Sequence, residues 1–479
     1  MAGKTAKKQK ETKIVYAWEK YPQGKERDKV MKFAESYRKF ISENKTEREC
    51  TSTIYEDAIK NGFVDLEEVI ASGKKLEAGS RVIANNMGKG LALFIVGEEP
   101  IQNGMNILGA HIDSPRIDLK QVPLYEDALY KTHFAMLDTH YYGGIKKYQW
   151  VTLPLALHGV FAKKDGSVVN VSIGDKPGDP VFGISDLLIH LAGSQMSKKA
   201  TEVITGEKLD ILVGSIAKSK EEEEEAKDLV KKNVLAILAE TYGIEEDDFL
   251  SAEIEVVPAG EARDYGLDRS MIMGYGHDDR VCAYPSYKAM LKIDQPKYTS
   301  VCLLVDKEEI GSVGASGMQS RFFENCVAEM IALTGEYSDL YVRRALKNSK
   351  ALSSDVSAAL DPNFPAVMED KNSAFFGKGL VFNKYTGSRG KSGSNDANAE
   401  YVAKVRAIMD NNNVKFQTAE LGKVDEGGGG TIAYILGNYN MNVIDSGVAV
   451  LNMHAPWEII SKVDLYEAYL GYVAFLKEA

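Results

Sequence analysis

Residues Thr299-Ser300-Val301-Cys302-Leu303-Leu304-Val305 run directly into Asp306-Lys307-Glu308-Glu309-Ile310-Gly311-Ser312. The first seven are β-branched and aliphatic with no helical period, the pattern of a buried strand. In an open α/β sheet such a strand delivers the residues that follow it to the carboxyl edge, where ligands bind. Neighbouring side chains diverge there, so Glu308 and Glu309 can take different tasks, one holding a metal and the other handling protons. An acidic pair alone is usually solvated surface. Its meaning depends on what stands at the other strand ends.

Residues 106–111 (NILGAH) form a second apolar strand that runs into His111-Ile112-Asp113-Ser114-Pro115. Side chains at i and i+2 share a face of a strand, so His111 and Asp113 point the same way. A carboxylate beside a ligating imidazole fixes its tautomer and raises its basicity, as is common at zinc sites. Gly276-His277-Asp278-Asp279-Arg280, Ser353-Ser354-Asp355 and Asn452-Met453-His454-Ala455-Pro456 each set a His or Asp at the edge of an apolar segment. Imidazoles with carboxylates suit zinc, manganese or cobalt rather than soft copper or iron–sulfur.

Composition sets the bounds. At 479 residues the chain exceeds the size at which one core stops growing, so two domains are the default. Apolar content of 44% and charged content of 27% are those of a globular protein. A net charge of −11 argues against nucleic acid or a membrane surface as partner. No run of about 18 apolar residues is present, so no membrane span is expected. Residues 1–13 read as a basic, disordered arm rather than a secretory signal. Cys50, Cys282, Cys302 and Cys326 show no paired spacing, and a reducing cytoplasm is the simplest compartment.

The order of elements suggests a split catalytic domain. Residues 25–45 carry Val30, Phe33, Ala34, Tyr37, Phe40 and Ile41 at helical spacing, and 81–96 read as strands joined tightly at Gly88 and Gly90. From about Leu119 short β-like runs take over, with an Asp165-Gly166 turn between alternating segments as a hairpin signal. Residues 221–238 read as an acidic-to-apolar helix. From about Asp268 strands and helices alternate again, which favours a parallel sheet. The final helix, 463–479, puts Leu465, Tyr469, Tyr472, Val473 and Leu476 on one stripe. The expected division is a catalytic domain over 1–118 and 268–479 with an insertion at 119–267. His111 and Asp113 precede the insertion, and the remaining chemistry-bearing residues follow it.

The segments GAHIDSPRIDLK, GYGHDDRVCAY, DKEEIGSVGASG, LSSDVSAALDPNFP and LNMHAPWE resemble the successive site motifs of aspartyl aminopeptidases and of vacuolar aminopeptidase I. The similarity runs from about Val30 to the C-terminus. It implies a three-layer α/β/α metallopeptidase catalytic domain with an inserted β-rich dimerisation domain. It also implies a dinuclear zinc exopeptidase that removes an acidic or neutral N-terminal residue by a metal-bridged hydroxide. Carried over, His111 and Asp355 would hold one ion, Glu309 and His454 the other, and Asp278 would bridge both. Asp113 would support His111, and Glu308 would be the general base. The resemblance favours Asp278 over Asp279 as the bridge and leaves His277 a hydrogen-bonded neighbour. Peptide substrates and a dimer-based homo-oligomer, up to a tetrahedral dodecamer, are implied as well.

Other stretches bear on the substrate. Ser185 to Leu191 is similar to a family segment whose histidine enters a neighbouring subunit's site; His190 is either that contact or a locally satisfied surface histidine. Gly427 to Gly430 let the backbone approach a ligand, which makes Gly428 and Gly429 candidates for substrate contact. Without a following Lys-Ser or Lys-Thr they are no phosphate loop. Lys384, ahead of the Gly- and Ser-rich residues 387–394, is a candidate basic contact. His133, His140 and His158 read as structural. The alternatives are a related dinuclear amidohydrolase (deacylase or carboxypeptidase) and an assembly scaffold that has lost catalysis, which the presence of Asp113 and Glu308 disfavours.

Overall fold

The computed structural model describes residues 16–127, 132–219 and 227–479. The expected basic arm and the glutamate run 221–225 lie outside these residues. Among the described residues the principal sheet has nine strands, in the order Val64–Asp65, Arg81–Asn85, Leu91–Ile95, Thr299–Val305, Met105–His111, Lys350–Ser354, Asn442–Gly447, Leu380–Asn383 and Phe416–Thr418. The four central strands, Thr299–Val305 through Asn442–Gly447, are mutually parallel. Val305 lies opposite His111, so the two motifs leave the sheet side by side.

Strand parity explains the layers. Cys302 and Leu304, with Leu108 and Ala110, face one core against Tyr37, Tyr284, Tyr472 and Phe475. Val301, Leu303 and Val305, with Ile107, face the other against Phe323, Val327, Met330 and Leu436. Helices Lys25–Glu43, His277–Met290 and Lys462–Glu478 cover the first face, and Phe322–Thr334 with Asp339–Asn348 the second. The α/β/α expectation is met because central strands buried on both faces need helices on both sides.

Residues 116–258 contribute a separate six-stranded antiparallel sheet, ordered Val168–Ile173, Leu155–Ala162, Ala252–Pro258, Arg116–Glu126, Ala135–Tyr142, Ile211–Gly214, over its own core around Trp150, Leu155 and Val256. Its hairpin turns at Asp165-Gly166, with Gly166 at φ +88°. The helix expected over 221–238 is described as Leu229–Tyr242. A third sheet of five strands, including Met271–Gly274 and Glu458–Ser461, flanks the edge where the motifs emerge. The four cysteines are buried and form no disulfide. Among the described residues no helix is long and apolar enough to cross a membrane.

Candidate metal centre

The strand Met105–His111 ends on His111, whose Nε2 lies 3.2 Å from Asp278 Oδ1 and 3.9 Å from both Asp355 Oδ1 and Glu308 Oε2. The other Asp278 oxygen, Oδ2, lies 3.3 Å from His454 Nε2, which in turn is 3.5 Å from Glu309 Oε2. One carboxylate thus faces two imidazoles, each with a further carboxylate behind it. The potential ligand atoms of His111, Asp278 and Asp355 fall within 4.8 Å of one another, as do those of Asp278, Glu309 and His454.

Each side chain is held from outside the cluster. His111 Nδ1 is 3.0 Å from the Asp113 carbonyl and 3.2 Å from Asp113 Oδ1. The Asp113 carboxylate also accepts the backbone N–H groups of Glu308 and Glu309, both at 3.2 Å, and the Tyr142 hydroxyl at 2.8 Å. It therefore ties the first two motifs together. The strand ends at Val305, and Lys307, at φ +66°, starts the single turn Glu308–Ile310 that carries both glutamates. His454 Nδ1 meets the Gly144 carbonyl at 2.9 Å, leaving Nε2 to face the cluster.

Asp278 and Asp279 part company. Asp279 is fully buried away from the cluster, with Oδ2 3.4 Å from the His111 backbone nitrogen. His277 pairs with the Tyr37 hydroxyl at 2.7 Å. Neither belongs to the converging donor groups.

Electrostatics mark the cluster as a cation site. Burial opposes charge on His111, yet Asp113 and Asp278 raise its pKa well above the usual imidazole value. Against the same burial penalty, Asp278 and Glu309 lift His454 to about 10. Burial raises Asp355 and Glu309 well above the carboxylate range and Glu308 to about 7. Asp278 Oδ1 and Glu309 Oε1 are buried without a hydrogen-bond donor. Buried carboxylate oxygens with no hydrogen-bond partner, beside two imidazoles whose other nitrogens are already occupied, fit divalent metal ions.

A cavity of about 430 Å³ opens beside the cluster, with Gly428 and Gly429 on its wall. Gly428 sits at φ +140°, where a Cβ would come within 2.6 Å of the Ser388 nitrogen, so only glycine fits. Lys384 is not brought to the cavity; it turns outward and pairs with Asp396, while Asn383 and Thr386 line the wall. His190 is exposed on the turn Ile189–Leu191 and lines no part of this cavity.

Two groups of residues escape sequence reasoning. Glu458 is buried, and its oxygens accept the backbone N–H of Asp278 at 3.0 Å and of His454 at 2.8 Å. It closes the LNMHAPWE segment, which was its only signal. Tyr142, Gly143 and Gly144 come from the inserted sheet yet touch Asp113, Glu309 and His454; a Cβ on Gly143 would lie 3.3 Å from that of Glu309.

A mixed α/β sheet with imidazoles and carboxylates gathered at the carboxyl ends of its parallel central strands defines a metallohydrolase architecture. Residues 40–476 match the model of the aminopeptidase I zinc metalloprotease family (M18), and the chain belongs to that family. It is 61% identical over 460 residues to "Probable M18 family aminopeptidase 1" of Clostridium acetobutylicum, covering 96% of this chain and 97% of that one. A crystal structure of the M18 aminopeptidase of Thermotoga maritima superposes with a TM-score of 0.91 at 42% identity, over 97% of this chain and 99% of that one. A dodecameric aminopeptidase of S. cerevisiae shares the fold, with a TM-score of 0.74 at 20% identity over 92% of this chain and 96% of that one. The protein is a metalloaminopeptidase, and zinc is the family's metal.

Proposed function

We propose that this enzyme removes an acidic or neutral N-terminal residue from peptides with two divalent ions, zinc first and manganese or cobalt as substitutes. The observation that carries the two-ion reading is the Asp278 carboxylate, with one oxygen toward His111 and the other toward His454. His111 and Asp355 would hold one ion, Glu309 and His454 the other, with Asp278 shared. Two such ions supply Lewis acidity to a water and to the scissile carbonyl.

The chain's own groups do the rest. Glu308 also lies within reach of His111 and Glu309, but each proposed ion has its donors without it, and burial lifts its carboxyl to about 7. It takes the water's proton and returns it to the leaving amine. Asp113 fixes the His111 ring, and the backbone at Gly428 and Gly429 borders the peptide. His190, exposed among Leu188, Ile189 and Leu191, is suited to reach a neighbouring subunit. We infer a dimer-based homo-oligomer, up to a tetrahedral dodecamer, with the insertion at 119–267 as its assembly unit. Four unpaired thiols suit the cytoplasm.

The test is Glu308→Gln. It should keep about two equivalents of zinc by elemental analysis and lose at least about 100-fold in kcat. Near-normal turnover, or a single equivalent in the active wild-type enzyme, would end this reading.

A further inference from the structure

We propose that Lys350 is a covalent modification site, acylated on Nζ by small acyl phosphates that Lys297 and Lys404 recruit beside the Tyr298 ring. The site lies at the amino edge of the principal sheet, at the opposite end of its strands from the metal cluster.

Lys350 opens the strand Lys350–Ser354 and pairs with Asn442 on one side and Asn106 on the other. It shares strand parity with Leu352, so it faces the layer in which the helix Ala399–Asn411 packs. The Tyr401 hydroxyl donates to the Ala351 carbonyl at 3.0 Å, which sets that helix against the start of the strand. Lys404, three residues further along the helix, stands beside Lys350. Tyr298, just ahead of the strand Thr299–Val305, lays its ring against two ammonium groups. Lys350 Nζ is 4.9 Å and Lys297 Nζ 5.2 Å from the ring centre.

Three cations thus converge, and among the described residues none of them pairs with a carboxylate. Lys297 and Lys404 are exposed, whereas Lys350 is half-buried. Burial, Lys404 and Lys297 all act on Lys350 in the same direction and lower it to about 8. An ordinary lysine is almost wholly protonated near neutral pH and has no lone pair to offer. An amine that is desolvated or set beside other cations is an activated nucleophile. The two exposed ammonium groups attract the phosphoryl dianion and meet the charge that grows on its bridging oxygen as it leaves. In the step itself the Nζ lone pair forms a bond to the acyl carbon and the C–O bond to phosphate breaks. Inorganic phosphate departs, and the surplus proton on nitrogen passes to water. Asp355 lies five residues along the strand, about 16 Å away, so the metal cluster takes no part.

The test treats the zinc-loaded protein with acetyl phosphate near neutral pH and follows every lysine by quantitative peptide mass spectrometry. Lys350 should be acetylated at least about tenfold faster than the median lysine. With 4-nitrophenyl acetate, an uncharged donor, that advantage should shrink at least about threefold, because only the free amine then counts. Lys297→Gln/Lys404→Gln protein should lose at least about tenfold in the acetyl phosphate rate at Lys350, and less in the nitrophenyl acetate rate. Circular dichroism and unchanged dipeptide hydrolysis check that this variant is folded. Acetylation of Lys350 at or below the median rate overturns the proposal. Equal preference for Lys350 with both donors overturns it as well, since the lysine pair would then recruit nothing.

Discussion

Glu458 is buried and lies outside the converging donor groups, yet it holds two of the proposed ligands by their backbones. Replacing it with methionine removes both acceptors while keeping much of the side chain's length. The N–H groups of buried Asp278 and half-buried His454, now at 3.0 and 2.8 Å from its oxygens, would be left unpaired. A buried unpaired group costs about 1–3 kcal/mol, so the variant should lose about 1–3 kcal/mol at Asp278 and less at His454. Part of that loss falls on folding. The part expressed at the centre loosens the backbone that carries both ligands, and an outer-sphere change of this kind typically costs about 10–100-fold in metal affinity. Glu458→Gln keeps one acceptor and should fall between wild type and methionine. Zinc competition with a fluorescent chelator reads the affinity directly, and circular dichroism confirms that each variant is folded. A folded Glu458→Met protein with wild-type zinc affinity would show that the carboxylate only fills space, and the argument would fail.

Two further outcomes are expected. If His190 serves a neighbouring subunit, mixing and reassembling inactive His190→Ala and Glu308→Gln subunits should recover about a quarter of wild-type activity under random pairing, since one site in each mixed pair is intact; no recovery after confirmed subunit exchange refutes the role in trans. His158 bridges the helix Glu47–Lys60 and the six-stranded sheet, with Nδ1 2.7 Å from Glu49 and Nε2 2.8 Å from Asp175, whose other oxygen holds Lys45 at 2.7 Å. Burial opposes its charge, but Asp175 and Glu49 raise it from 6.5 to about 9. A raised histidine stabilises the fold fully below pH 6.5, and that contribution, at most about 3 kcal/mol, disappears as pH climbs through 9. Despite burial, the carboxyls of Glu49 and Asp175 are lowered by His158 and also by Lys45 and backbone N–H groups, and they titrate below this window and do not change across it. The melting temperature of wild type should therefore converge on that of His158→Gln between pH 6.5 and 9, and a constant gap would refute the assignment.

What the sequence reveals follows from what repeats along it. The strands at 106–111 and 299–305 are readable because a central parallel strand is apolar on both faces, and the residues just beyond such strands stand at the sheet edge. That logic picks out His111, Asp113, Glu308 and Glu309 without a structure, and the fold does gather them with Asp278, Asp355 and His454. Parity is harder. Whether Asn383 or Lys384 faces the cavity depends on a four-residue strand whose limits no pattern announces, and a shift of one residue exchanges an amide for a cation. Asp278 and Asp279 pose the same problem with identical side chains, separable only by where the backbone points them.

The least legible contacts are those made to backbone atoms. Glu458 recognises two N–H groups, one of them 180 residues earlier in the chain, and a peptide N–H carries no residue type to search for. Gly144 presents its carbonyl to His454 from across 310 residues, for which any residue would supply the atom. A Cβ on Gly144 would lie 3.4 Å from His454 Nδ1, an ordinary van der Waals contact, so the position asks only for a backbone carbonyl. These contacts also show why the inserted sheet is more than an appendage. Through Tyr142 it anchors Asp113, and through Gly144 it orients His454, so a displacement of that sheet would disturb donors from both ends of the cluster at once. On the proposal that the insertion is the assembly unit, assembly and chemistry at the sheet edge would then be coupled within each subunit, by hydrogen bonds already present in a single chain.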